Sequence, residues 1–305
     1  MSNATDIVLE ASPELSEAAP AKINLALHVT GQRTDGYHLL DTLAVFTCFA
    51  DRVTVAPAKA DTFTVAGPFS VGVPVGADNL VIRARDLLRR LADRPCPPVA
   101  LALEKNIPAA SGIGGGSSDA AAAIRALARH WHLDLSAETL AAAALSLGDD
   151  LPMCLAARPL IARGIGEAIA PVPFMAPLHM VLVNPRIEIP TPSVFSALTR
   201  RDGAPLPPLP DPVDLPALLD WLPETRNDLE PAARSIAPEI SQALDALRAH
   251  RSAFTRMSGS GATCFGLFAS HKAAEEAAHA IAAAHPSWYV EATTTIEKAH
   301  AHVAH

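Results

Sequence analysis

The sequence predicts an α+β protein of two domains, a mixed α/β N-terminal domain and a ferredoxin-like C-terminal domain with inserted helices. Three observations predict it. At 305 residues the chain is longer than one core usually needs. Its first half alternates strand-like and helix-like apolar periods around Gly112-Ile113-Gly114-Gly115-Gly116-Ser117-Ser118-Asp119. Its second half runs strand, helices, hairpin, helix, strand, the βα–ββ–αβ order of ferredoxin-like units.

Residues 1–19 are acidic, lack apolar periodicity and read as a loose tail. The N-terminal domain then covers 20–172 and the C-terminal domain 173–305. From Lys22 to Val29 apolar residues alternate with others, the period of a half-buried strand. That period sends Ile23, Leu25 and Leu27 into the core and puts Lys22 and Asn24 together on the other face. Further strands are expected at 42–49, 52–56 and 62–66. Asp78-Asn79 suits a helix cap, with Leu80, Leu87, Leu88 and Leu91 at helical spacing, and prolines from Pro95 stop it. Val99–Leu103 is a short strand leading through Lys105-Asn106-Ile107-Pro108 to the glycine segment, and a helix follows from Ala120 to Trp131. Ser136 caps a further helix ending near Gly148, and 151–171 read as two short strands around Arg163-Gly164-Ile165-Gly166.

Beyond that point, 179–184 is a strand and 192–199 a short helix after Pro190-Thr191-Pro192. A proline-rich connection at 203–216 reads as an exposed loop. Helices follow at about 214–221 and 228–249. The stretches 253–257 and 263–269 pair through a Ser258-Gly259-Ser260-Gly261 turn, and a helix at 271–284 and a strand at 288–296 complete the order.

Composition narrows the function. Half the residues are hydrophobic and 18% are charged, which fits a folded globular protein. The net charge of −8 disfavours nucleic-acid binding, which needs a basic surface, but leaves room for a small anionic ligand. Cys48, Cys96, Cys154 and Cys264 are widely spaced and form no C-x-x-C pair, so they read as ordinary thiols. The acidic start differs from a signal peptide, and no apolar run approaches the roughly 20 residues of a membrane span. A cytoplasmic enzyme with no membrane partner is the expectation.

A strand, a glycine-serine loop and a helix together make a phosphate site. Glycines let main-chain N–H groups come close to an anion, and the helix start adds unpaired donors at a positive dipole end. Ser117 and Ser118 add hydroxyls that suit phosphate or Mg²⁺. The segment is neither G-x-x-x-x-G-K-[ST] nor G-x-G-x-x-G. It also fits a flexible connection with a serine cap, although three consecutive glycines entering a helix argue against that. Asp119 would repel a phosphate, so it is expected to cap the helix, point aside or meet a cation. Lys22, one of five lysines, fits a surface position as well as a functional one. Asp149-Asp150 on their own suit a solvated turn. Tyr37-His38 after Asp35-Gly36 suit either an incidental turn or a stack on a heteroaromatic base. Ser258–Thr263 suit a hairpin turn or a second wall of the phosphate site. His300, His302 and His305 read as tail residues, not as a metal site.

Taken in order, Pro20-Ala21-Lys22, Pro108 through Ser118, and Ser258 through Thr263 resemble the GHMP kinases, which include galactokinase, homoserine kinase and mevalonate kinase. Within that family Arg33–His38, Gly148–Pro152, Ile189–Pro192 with Phe195, and Asn227-Asp228-Leu229 are similar to the branch acting on cytidine-diphosphate-linked methylerythritol. The resemblance spans about Pro20 to Ile296. It implies an ATP- and Mg²⁺-dependent kinase that phosphorylates the 2-hydroxyl of that small molecule in non-mevalonate isoprenoid synthesis. It implies a monomer or weak homodimer. By the same resemblance Asp150 is the base and Lys22 its electrostatic helper, and the segment Pro108, Ala109, Ala110, Ser111, Gly112, Ile113, Gly114, Gly115, Gly116, Ser117 and Ser118 holds ATP. Tyr37 and Phe195 would sandwich the cytosine, His38 would bond its edge, and Asn24 and Thr191 would orient the acceptor. The family's Gly-Ala-Asp is Gly148-Asp149-Asp150 here, adding an acid with a solvent-facing or helper role. Position 119 varies between Asn and Asp in family loops.

Overall fold

The computed structural model describes residues 14–108 and 111–296. Its N-terminal sheet is built on two long antiparallel strands, β1 (Leu15–Gln32) and β2 (His38–Pro57). Two expectations change here. The strand begins inside the segment expected to be a tail, with Leu15–Pro20 registered against Ala50–Val55. The strands expected at 42–49 and 52–56 are one, because Asp51 is buried inside the ladder and does not end it.

β3 (Thr62–Ala66), β4 (Val99–Glu104), β5 (Leu160–Gly164) and β6 (Ala168–Pro171) complete this sheet, in the order β3-β4-β2-β5-β6 with β1 on β2. Helix α1 (Leu80–Leu91) starts at the Asn79 cap, whose side chain accepts the Val81 N–H. Helix α2 (Gly115–His130) begins five residues earlier than expected, inside the glycine run. Gly114, at φ +68, supplies the left-handed turn into it. Ser136 caps α3 (Ala137–Leu145), and α4 (Leu151–Ala156) occupies a stretch expected to be strand. The reason for α4 is local, since Pro152 sits in the first turn, where its missing N–H costs nothing. Phe46, Val53, Leu101, Ala120 to Ile124 and Leu127 close the core between α1, α2 and the sheet.

The second half contains β7 (His179–Asn184), α5 (Thr191–Ser196), α6 (Leu215–Trp221), α7 (Glu230–Ile236), α8 (Glu239–Ala249), β8 (Phe254–Met257), β9 (Cys264–Phe268), α9 (His271–Ala284) and β10 (Tyr289–Thr294). The sheet order is β10-β7-β9-β8, antiparallel throughout, as the ferredoxin-like reading requires. The helix expected at 228–249 is broken between α7 and α8, because Pro238 cannot continue the first of them.

The two halves share a core. Ile23, Leu25, Leu43 and Val45 of the first sheet pack with Met180, Leu182, Phe265 and Leu267 of the second. Arg256 reinforces the junction from β8. It is buried and donates to the Leu25 and Leu222 carbonyls and to the hydroxyl and carbonyl of Thr225, at 2.8–3.0 Å. Burial brings its pKa down to about 10, and the guanidinium stays charged at neutral pH. The alternation read along β1 is therefore incomplete. Ile23 and Leu25 enter the shared core as expected, but the polar face is covered too, and Lys22, Asn24 and His28 are all buried.

Candidate active site

A cleft of about 850 Å³ opens between the halves, with the head of α2, the Tyr37-His38 turn, the start of α4 and the 258–263 turn around it. Lys22 is only 3% exposed on β1. Its main-chain N–H donates to the Ile113 carbonyl at 3.0 Å, tying the strand to the glycine loop. Its ammonium donates to Asn24 Oδ1 at 2.8 Å and lies 3.3 Å from Asp150 Oδ2. Asn24 is fixed in turn, its Nδ2 donating to Thr42 Oγ1 at 2.8 Å. The Asp150 side chain is 42% exposed and faces the cleft. A buried ammonium thus points at one carboxylate that is open to solvent. Asp149 also lines the cleft, and burial, then the charges of Asp150 and Glu167, holds its carboxyl above the usual range.

The loop divides into residues that face the cleft and residues that anchor it. Ser111, Gly112, Gly114, Gly115, Gly116 and Ser117 line the cleft. Pro108 and Ile113 are buried anchors, and Ser111 Oγ donates to the Pro108 carbonyl at 2.7 Å. Ser118 differs from its expected role. Its hydroxyl donates to the Pro20 carbonyl at 2.7 Å and its N–H to the Gly114 carbonyl at 2.8 Å, so it faces the interior, as its place one turn into α2 demands. Ala109 and Ala110 lie outside the described residues. Asp119 does not cap the helix but meets a cation, Lys105, at 2.8 Å.

The 258–263 turn forms another wall of the cleft, with Gly259 and Ser260 lining it. Thr263 donates to the Ser111 carbonyl from its hydroxyl at 2.6 Å and its N–H at 3.2 Å. Asn227 Nδ2 donates to the Met257 and Gly259 carbonyls at 2.8 and 2.9 Å, and Ser258 Oγ accepts the Asn24 N–H at 3.1 Å. Gly112, at φ +75, lies so close to this turn that a Cβ would overlap the Gly261 carbonyl oxygen and sit 2.7 Å from its carbon.

At the other end, Tyr37, His38, Thr191 and Phe195 all line the cleft. Tyr37 and Phe195, expected to sandwich a cytosine, both face the cleft. His38 lies on Phe195, with centroids 4.8 Å apart and 27° between planes, and Tyr37 stands 49% exposed at the rim. His38 Nε2 is buried without a partner among the described residues. Burial first, and then the charge of Arg201, lowers its pKa below the ordinary 6.5 and keeps the ring neutral at neutral pH. Thr191 Oγ1 pairs with Ser260 Oγ at 2.8 Å, linking the aromatic end to the 258–263 turn.

Sequence reasoning assigned no role to Thr42, Arg201, Lys105 or Asp51. For Lys105 and Asp51 a signal existed, since each is a charge embedded in an apolar strand or at its end. For Arg201, inside an ordinary polar run, there was none.

Two family models match the chain: the GHMP kinases N terminal domain over residues 79–158 and the GHMP kinases C terminal over 209–287. The 4-diphosphocytidyl-2-C-methyl-D-erythritol kinase of Mesorhizobium japonicum is 57% identical over 279 residues, 91% of this chain and 95% of that protein. The kinase of the same name from Brucella melitensis is 56% identical over 92% of this chain and 94% of its own. A crystal structure of 4-(cytidine 5'-diphospho)-2C-methyl-D-erythritol kinase superposes with a TM-score of 0.76 at 35% identity, covering 92% of this chain and 99% of that one. A homoserine kinase from Cytophaga hutchinsonii shares the fold at 17% identity and a TM-score of 0.64.

Proposed function

Because the chain belongs to the 4-diphosphocytidyl-2-C-methyl-D-erythritol kinases of the GHMP family, we propose that it transfers the γ-phosphoryl group of ATP to the 2-hydroxyl of that cytidine-linked methylerythritol, in isoprenoid precursor synthesis. The observation that carries the reading is the convergence in one cleft of a glycine-rich helix head, the Lys22–Asp150 pair and an aromatic cluster. The first suits a triphosphate, the second proton removal, the third a nucleobase.

In the transfer, main-chain N–H groups at Gly114–Ser117 hold the ATP phosphates at the positive end of α2. The acceptor oxygen attacks the γ-phosphorus, its proton passes to the Asp150 carboxylate, and the bond to the bridging oxygen breaks to release ADP. Lys22 holds Asp150 in place and offsets the negative charge that develops beside it, and Asn24 fixes Lys22. Little covalent work falls to the protein, so catalysis rests on positioning and charge.

Magnesium chemistry fits the same donors. Among the described residues no group of three or more His, Cys, Asp or Glu side chains is arranged around a metal-sized space. Mg²⁺ bound with ATP takes most of its oxygens from phosphate and water and needs only one or two from protein. The Ser117 hydroxyl and the open carboxylate of Asp150, both lining the cleft, are the ligands on offer. Bound there, the ion would offset charge on the transferring phosphoryl group.

For the acceptor, taking cytosine between Tyr37 and Phe195 requires the His38 ring to leave Phe195 and turn its free Nε2 to the base edge. The lowered pKa of His38 sets a pH rule: the neutral ring persists above 6.5 and is lost only as pH falls below that value. The acceptor KM is expected to stay flat from neutral pH to the ordinary histidine range and to rise below it, and His38→Gln should flatten the profile. A KM titrating above pH 7 in the wild type would contradict the assignment.

ADP release measured across a panel of hydroxylated acceptors tests the function itself. The cytidine-linked methylerythritol is expected to give turnover at least about a hundredfold above homoserine or mevalonate, since the cleft's polar groups go unpaired without the base. Comparable turnover with either alternative would overturn the substrate assignment.

A further inference from the structure

Beneath the glycine loop lies a charged cluster that the transfer chemistry does not use. Lys105 follows β4 directly and is buried. Its ammonium bridges two carboxylates, that of Asp51 on β2 and that of Asp119 in the second turn of α2. The other oxygen of Asp51 accepts the main-chain N–H groups of Asn106 and, at 2.7 Å, Ile107. Lys105's own backbone is held against the segment after β3. Its N–H donates to the Ala66 carbonyl at 2.7 Å, and its carbonyl accepts from Phe69 at 3.1 Å. The ammonium stands 3.1 Å from where a Cβ on Gly115 would be, directly behind the helix head. One cation thus ties the start of the glycine segment, through Asp51, to its end, through Asp119.

We propose that Asp51, Lys105 and Asp119 form the positioning element of the nucleotide site, setting where the main-chain donors of Gly114–Ser117 point. The proposal rests on the kinase reading above and assigns these residues to its ATP half. Cohesion alone does not account for them. Burying three ionisable groups costs desolvation that offsets much of their attraction, and apolar residues of similar volume often serve stability as well. Registry is what such a cluster does supply. Asp119 Oδ1 has no hydrogen-bond partner among the described residues, so the cluster is arranged around Lys105 and is not fully satisfied. Burial opposes the Lys105 charge, but the attraction of Asp119 and Asp51 outweighs it and holds the ammonium above the usual lysine range. The Lys105 ammonium therefore stays charged, whereas burial, working against the pull of Lys105, pushes the Asp119 carboxyl up to about 8. A displacement of about 1 Å in donors of this kind costs on the order of a hundredfold in rate.

The test is ATP affinity by calorimetry on the full chain without acceptor, together with both KM values and the melting temperature. Asp119→Leu, which removes the bridge without adding charge, is expected to weaken ATP binding about tenfold while the acceptor KM moves by less than about twofold. Asp119→Asn keeps an acceptor for Lys105 and should stay within about threefold of wild type. Should Asp119→Leu fail to fold, Lys105→Arg retains the charge but changes the reach and shape of the bridge, and is expected to weaken ATP binding about fivefold. Unchanged ATP affinity in folded Asp119→Leu, or failing that in Lys105→Arg, overturns the proposal, as does an equal rise in both KM values. A wild-type chain that fails to bind ATP would remove the kinase reading and this one together. Wild-type binding with indifferent variants removes this one alone.

Discussion

Replacing Asp150 by Asn is expected to lower kcat by about a thousandfold, within the range a general base contributes, while ATP affinity changes little. The amide has nearly the shape of the carboxylate, so the cleft keeps its form. It cannot take the proton of the acceptor hydroxyl, and it leaves the Lys22 ammonium, 3.3 Å away, without its ion pair. The main-chain N–H groups at the head of α2 belong to a different element and keep their positions. Single-turnover kinetics with saturating ATP separates the chemical step from binding. A kcat within about threefold of wild type would remove Asp150 from the role of base.

The second large effect falls on the loop. Gly112→Ala is expected to cost at least about 3 kcal/mol of stability, since it combines a left-handed backbone with a steric overlap that no side-chain movement relieves. The atoms in the way belong to the Gly261 main chain, which is itself held by the 258–263 turn. The strain has two outlets, separation of the loop from that turn or partial unfolding of the loop. Either moves the donors at the head of α2, so ATP affinity falls together with the melting temperature. Thermal unfolding with and without ATP measures both, and a variant that melts like wild type with full nucleotide stabilisation would contradict the packing described here.

Much of this arrangement was legible in the sequence because the signals are local. The period along β1, the Asn79 and Ser136 caps and the glycine run each act within a few residues, and elements appear where those signals stand. The order of the second half was enough for its sheet topology. What was not legible depends on contacts distant along the chain. Leu15–Pro20 has no apolar period of its own and becomes strand because Ala50–Val55 offers a ladder. Asp51 looks like a strand end until Lys105 arrives to neutralise it. Ser118 looks like a phosphate ligand until the turn of α2 carries its hydroxyl to Pro20. The stack of His38 on Phe195 joins residues more than 150 positions apart, and only their presence in the same cleft was foreseeable.

The long first strand has a mechanical consequence. Leu27 donates to the Arg226 carbonyl at 2.9 Å and accepts from the Asp228 N–H at 2.9 Å, and the Val29 N–H donates to Asp228 Oδ2 at 2.7 Å. The same strand is bonded to β2 along most of its length. One continuous backbone is therefore stitched to both walls of the cleft, and swinging the walls apart as rigid bodies would tear those stitches. Exchange of ligands is therefore expected to draw first on smaller parts at the mouth, the exposed Tyr37 and the His38 ring among them.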